Sequence, residues 1–213
     1  EAVPAEQRTS FKCSKNRLPS SMSQDQLQRL YKIQNPFDRR IYFCAVLAKE
    51  LEPKETKPVV VGGTAVSFYT AGGYVTGDID LVYPDKDAAV RVLERYGFKR
   101  FGRHWYHEDL DIVIEIFESG NIGDKDKLTT VEIEGLKAYL LSVEDSILNR
   151  LNAYVHWKSL SDDLWIREMM RLHADRIDWS YLEAEAKKQK VYEAFKQFRE
   201  ETENALRKFR RNE

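Results

Sequence analysis

Asp78 and Asp80, in the run Thr76-Gly77-Asp78-Ile79-Asp80-Leu81-Val82, are the residues of this sequence best placed to do chemistry. The pattern over 78–83 reads as a β-strand, so both carboxylates point to one face while Ile79 and Leu81 point to the core. Two carboxylates one strand repeat apart can share hard divalent cations. Upstream, Val59-Val60-Val61 reads as a short buried strand that stops at Gly62-Gly63, and residues 64–71 continue as a helix closed by Gly72-Gly73. A strand that ends on two glycines and opens a helix brings bare N–H groups and a positive helix end to one spot. That spot suits a phosphate. Thr64, next in line, has a hydroxyl for a phosphate or for capping the helix. Phosphoryl transfer needs both parts, a phosphate cradle and cations that neutralise the attacking and leaving oxygens. Alone, a paired glycine is usually a turn and Asp-x-Asp usually a solvated edge. Their succession on these elements carries the reading.

A third carboxylate is expected from a neighbouring strand. In Leu110-Asp111-Ile112-Val113-Ile114-Glu115-Ile116-Phe117 the isoleucines share one face, and Asp111, Val113 and Glu115 share the other. Glu115 has apolar neighbours on both sides, where burial without a cation would be costly. Glu115 is therefore the expected third carboxylate, with Asp111 the alternate.

The elements that hold these residues follow from periodicity and punctuation. Residues 24–51 read as one or two helices interrupted near Asn35-Pro36. Asp85 caps a helix carrying Ala89, Val90, Leu93 and Tyr96, and Gly97 ends it. Residues 98–106 read as one strand and 110–117 as the next, and 129–141 as a hairpin turning at Glu134-Gly135. From Ser142 the pattern becomes helical: Ser142 and Asp145 form a near capping box ahead of the stripe Ile147, Leu148, Leu151 and Val155. Further helix is expected at 163–174 and from Asp178 to the end. The fold class is α+β, with a core of four or five strands. Residues 1–23 form a polar lead-in, 24–141 the core with its N-terminal helices, and 142–213 a C-terminal helical subdomain.

Gly62, Gly63, Asp78 and Asp80 resemble the signature of the DNA polymerase beta-like nucleotidyltransferases, a Gly-Gly or Gly-Ser turn followed by Asp-x-Asp or Asp-x-Glu. The resemblance implies a mixed sheet flanked by helices, a nucleoside triphosphate donor, and two divalent ions, Mg²⁺ or Mn²⁺. It also implies a third carboxylate, which maps to Glu115. Within that superfamily the chain looks most like small prokaryotic nucleotidyltransferases of unknown substrate, some of them partners in toxin–antitoxin or phage-defence systems. The run Glu144 to Leu151, then Ala153, His156-Trp157 and Asp163, is similar to the helical segment behind the core in that group. The resemblance spans roughly residues 57–185. Two departures stand out. The spacer 64–77 is slightly longer than usual, and no basic residue stands just before the Asp-x-Asp. Triphosphate charge is thus left to Arg150, Lys158, Arg103 or Lys137. Arg150 is favoured because it lies off the apolar stripe of its helix, although a salt bridge to Asp145 or Glu144 would explain it equally well. Trp157 and Trp105 could stack on a base, but large aromatics in such chains are mostly core.

Composition bounds the partners. The chain has 34 Lys plus Arg against 35 Asp plus Glu, a formal net charge of −1, so nucleic acid must be met by a local patch. One such patch is Arg207, Lys208, Arg210 and Arg211, although a terminal charge run is more often a solvated end. The longest apolar stretches are strand-sized, and the first residues have no secretory apolar core; no membrane partner is expected. Cys13 and Cys44, with no CxxC pair, fit a reducing, cytoplasmic setting. His104, His107, His156 and His173 form no metal-binding pair of the HExxH kind. His104 and His107 could meet a metal only from one face, and surface or hydrogen-bonding roles suit them better.

The expected function is transfer of a nucleoside monophosphate to an acceptor hydroxyl on a protein, an RNA 3′ end or a small molecule. The alternative is a non-catalytic, antitoxin-like binding module of the same fold. Retention of mutually repelling carboxylates favours the enzyme.

Overall fold

Asn35 divides the first helical stretch in two. Its side chain accepts hydrogen bonds from the Phe37 and Asp38 amides at 2.8 and 3.3 Å, and Pro36 supplies the first helical residue. Helices α1 (Gln24–Lys32) and α2 (Pro36–Leu51) result. The structure, a computed structural model, describes residues 24–52, 56–159 and 161–211. The expected lead-in and Cys13 lie outside the described residues, as do the side chains of Arg210 and Arg211.

Strand β1 (Val59–Val61) runs directly into α3 (Gly62–Tyr69), so the helix opens at the glycines themselves and not at Thr64. Strand β2 (Ile79–Val82) and α4 (Lys86–Arg95) follow, with the Asp85 carboxylate accepting from the Ala88 amide as the cap. The single strand expected over 98–106 is a hairpin: β3 (Lys99–Phe101) and β4 (His104–His107) turn at Gly102, whose φ is +61°. Strand β5 (Ile112–Phe117) comes next. Strands β6 (Thr129–Ile133) and β7 (Leu136–Leu140) turn at Glu134-Gly135, both with positive φ, as the sequence indicates.

Four helices complete the chain: α5 (Val143–His156), α6 (Asp162–Leu172), α7 (Trp179–Lys188) and α8 (Tyr192–Arg211). The helix expected from Asp178 onward is broken where Lys190 takes a φ of +60°.

Among the described residues seven strands, more than the four or five expected, form one mixed sheet in the order β3-β4-β5-β2-β1-β7-β6. Period-two alternation sorts its faces. Val60, Ile79, Leu81, Ile112, Ile114 and Ile116 pack with α2 and α4 in one apolar cluster. A second cluster joins Val66 and Tyr69 of α3 to α5, α6, α7 and α8, so α3 is the link between sheet and helical bundle. Asp80 and Glu115 belong to the strand face turned away from α2 and α4. Among the described residues no helix is long and apolar enough to cross a membrane.

The bundle is pinned to the sheet at Ser142. Its hydroxyl accepts from the Asp145 amide at 3.0 Å and donates to the Asp145 carboxylate at 2.8 Å. That carboxylate also accepts the Tyr181 hydroxyl at 3.0 Å, while burial pushes its pKa up. Ser142→Ala removes the cap and one of these donors. A loss of about 1–2 kcal/mol is expected from the denaturant midpoint, with an unchanged slope.

Candidate active site

The register of the sheet brings the carboxylates together. Asp80 is the cross-strand partner of Val61 on one side and of Glu115 on the other, and Glu115 is the partner of His104. One row therefore crosses the sheet as Val61, Asp80, Glu115 and His104 on a single face. Asp78 stands just before β2, two residues from Asp80. Asp111 is not part of this row. It precedes β5 in a turn, exposed, with φ of +50° and its amide bonded to the Glu108 carbonyl at 3.1 Å.

Each carboxylate has a protein donor. Thr76 Oγ1 donates to Asp78 Oδ1 at 2.9 Å, and the Gly63 amide donates to Asp80. Glu115 is 7% exposed, and its Oε2 lies 3.2 Å from Arg103 Nε and 3.4 Å from His104 Nε2. Burial raises the pKa of Asp80, the Asp78 charge raises it further and Glu115 adds to it, against the Gly63 amide and the Arg150 charge. Among the described residues no three Asp, Glu, His or Cys side chains converge closely enough for one ion. The donor set is nevertheless all oxygen and internally repelling, the ligand chemistry that suits a hard divalent cation.

The glycines are needed for contact rather than for looseness. Gly62 has φ of +60°, and a Cβ there would overlap the Asp80 carboxylate. A Cβ on Gly63 would lie 2.7 Å from Thr76 Oγ1, with no unusual φ involved. Thr64 is fully buried, and its hydroxyl donates to the Asp78 carbonyl at 2.7 Å. It neither caps α3, whose N-cap is Val61, nor faces open space. Its part is to hold Asp78 in place.

Beside the row lies a cleft of about 620 Å³ lined by Gly62, Asp80, Phe117, Arg150 and Trp157. Arg150 reaches Asp162 on α6 at 3.2 Å, not Asp145 or Glu144. Those two acids serve the fold, Glu144 accepting the Asp178 amide and Asp145 the Tyr181 hydroxyl. The Arg150 Nε is buried without a hydrogen-bond partner among the described residues. Trp157 is 77% exposed, against the expectation of a core aromatic, whereas Trp105 is buried. Lys137 pairs with Glu132 on the β6–β7 hairpin and stays outside the cleft. His104 and His107 point to opposite faces; His107 Nδ1 accepts the Leu110 amide, and its ring packs on Phe98.

One feature of the cleft has no local signature in the sequence. Asn152 Nδ2 donates to the Leu148 carbonyl at 2.8 Å and to Gln189 Oε1 at 2.6 Å, and both amides line the cleft. The Leu148 carbonyl can only accept, so it sets the orientation of both side chains. Asn152 Oδ1 and Gln189 Nε2 are left as an acceptor and a donor side by side.

Residues 43–212 match the family Nucleotidyltransferase of unknown function (DUF6036). The chain belongs to this family. Its nucleotidyltransferase fold is shared with an antigenic nucleotidyltransferase-like protein from Paracoccidioides brasiliensis, whose crystal structure aligns at a TM-score of 0.55 and 18% identity, covering 82% of this chain and 93% of that one. The antibiotic-resistance factor ANT(2'')-Ia, solved in solution, aligns at a TM-score of 0.45 and 14% identity over 82% of this chain and 97% of its own. No curated protein matches the sequence.

Proposed function

We propose that this DUF6036 nucleotidyltransferase moves a nucleoside monophosphate from a nucleoside triphosphate to an acceptor hydroxyl, with Mg²⁺ or Mn²⁺ held by Asp78, Asp80 and Glu115. The observation that carries the reading is the row that sets Asp80 against Glu115, with the Gly63 amide and the Arg150-lined cleft on one side. When bound, the ions supply positive charge against the phosphoryl oxygens. The start of α3 and Arg150 hold the triphosphate at the cleft wall, in the place of the basic residue missing before Asp78. The nucleoside lies along the cleft, its base against Trp157 and its polar edge at Asn152 and Gln189. Thr64 and Thr76 orient Asp78. Arg103 and His104 hold Glu115 on the opposite side, where the acceptor enters.

The test is transfer of label from an α-labelled triphosphate, run alongside two binding measurements. Trp157→Ala is expected to raise KM for the triphosphate roughly tenfold with little change in kcat, since base–aromatic stacking contributes ~1–3 kcal/mol. An unchanged KM would take the base away from Trp157. Millimolar Mg²⁺ or Mn²⁺ is expected to raise Tm in the wild type and not in Asp80→Asn, because an ion bound only to the native state stabilises it by mass action. Equal shifts in both proteins would place the ion elsewhere.

A further inference from the structure

Two acids open α6, and the helix uses them differently. Asp163 is partly exposed and pairs with Arg167 one turn on, as a surface i,i+4 pair does. Asp162 is turned inward and only 4% exposed. Among the described residues its carboxylate accepts a single hydrogen bond, from Arg150 Nη1 at 3.2 Å. A carboxylate taken out of water costs free energy unless a cation and hydrogen bonds offset it. Apolar side chains of similar volume often serve a helix contact as well as a buried ion pair does. The packing of α5 on α6 therefore gives no reason for the pair. The cleft does.

Arg150 is the half of the pair that lines the cleft, and Asp162 is not part of its wall. The hold is end-on, through one nitrogen, where a guanidinium and a carboxylate frequently meet side by side through two. No other hydrogen bond of the guanidinium occurs among the described residues, and its Nε is buried. Asp80 lines the same cleft, near enough for the Arg150 charge to favour its ionised form. Arg150 thus stands between two carboxylates and is bonded to the one behind the wall. Bonded to Asp80 instead, it would cover an oxygen that the cations need.

We infer that Asp162 is a positioning residue, a tether that holds Arg150 from behind the cleft wall so that the guanidinium meets the triphosphate and does not close on Asp80. This rests on the nucleotidyl-transfer reading and adds to it what keeps the phosphate site and the cation site apart.

The test is a double-mutant cycle of Asp162→Asn and Arg150→Met with two readings, both made without turnover. Calorimetry with inorganic triphosphate and Mg²⁺ reads the phosphate site with no base present. Affinity is expected to fall roughly tenfold in each single variant and no further in the double variant. The rise of Tm with Mn²⁺ alone reads the cation site. It should shrink in Asp162→Asn, where Arg150 is released to pair with Asp80, and return in the double variant, where no guanidinium remains. A structural role gives no such recovery. Losses that add in the double variant, or an Mn²⁺ shift untouched by Asp162→Asn, overturn the tether. If circular dichroism shows Asp162→Asn unfolded, Asp162→Glu decides, because it keeps the charge and displaces it. Triphosphate binding that is then several-fold weaker sustains the tether, and unchanged binding overturns it. A cycle that behaves as expected in a wild type that labels no acceptor sustains the tether and removes the transfer reading. Label transfer by Asp162→Asn at the wild-type KM sustains transfer and removes the tether.

Discussion

Asp80→Asn is expected to lower nucleotidyl transfer by roughly two orders of magnitude or more while leaving the metal-free protein at least as stable as the wild type. The substitution keeps shape, and the amide oxygen can still accept the Gly63 N–H. What disappears is a charge that burial and the neighbouring Asp78 and Glu115 charges already disfavour. The folded pKa of Asp80 lies above its ordinary value, so the native state binds the proton more tightly than the unfolded one. Its contribution to stability therefore falls as pH rises from the ordinary aspartate range through the raised value, and stays lost above it. Denaturant midpoints across that window should show a decline in the metal-free wild type that is reduced in Asp80→Asn. Glu115→Gln should be as damaging to transfer. It should bring no such gain in stability, because the Arg103 guanidinium already offsets the Glu115 charge. Asp111→Asn is the control. Asparagine tolerates the positive φ of that turn, and transfer should be unchanged.

Gly62→Val should fail twice over. The left-handed backbone alone costs a branched residue about 1–3 kcal/mol, and the added Cβ overlaps Asp80, which is already fixed by the Gly63 amide. Either β1 and β2 separate at Val61 and Asp80, or the carboxylate swings out of the row. Tm and transfer are both expected to drop sharply. Gly63→Ala has no φ penalty and meets the Thr76 and Tyr74 side chains rather than a carboxylate of the row, so it should lose less stability while weakening triphosphate binding. If Gly62→Val keeps wild-type Tm and transfer, the glycine contact has no part in the site.

Much of the fold was legible because the signals are local. Asn35-Pro36, Asp85, Glu134-Gly135 and Ser142 each act on backbone groups within a few residues, and each does in the structure what its chemistry indicates. The misses have equally local causes. Gly102-Arg103 is a weak turn signal inside an aromatic run, so two strands read as one. The break at Lys190 uses a residue with no special liking for positive φ, and an amphipathic pattern runs through it unmarked.

The site divides along the same line. Strand alternation predicts Asp78 and Asp80 on one side, but β2 begins only at Ile79, and the alignment of Asp80 with Glu115 is a matter of register between strands separated by α4 and a hairpin. No local pattern encodes that. Arg103 and His104 reach Glu115 for the same reason. Arg150 was favoured on helical periodicity, yet its true partner, Asp162, lies on the next helix rather than on its own turn. Asn152 and Gln189 meet only because α5 packs against α7.

The most direct test supplies each α-labelled triphosphate in turn, with Mg²⁺ or Mn²⁺, to the protein and a cell extract, and reads which species takes up label. Wild-type protein should label an acceptor from at least one triphosphate, and Asp78→Asn and Asp80→Asn, both folded, should fall to background. Label taken up equally by the wild type and by both aspartate variants would contradict nucleotidyl transfer at this row of carboxylates.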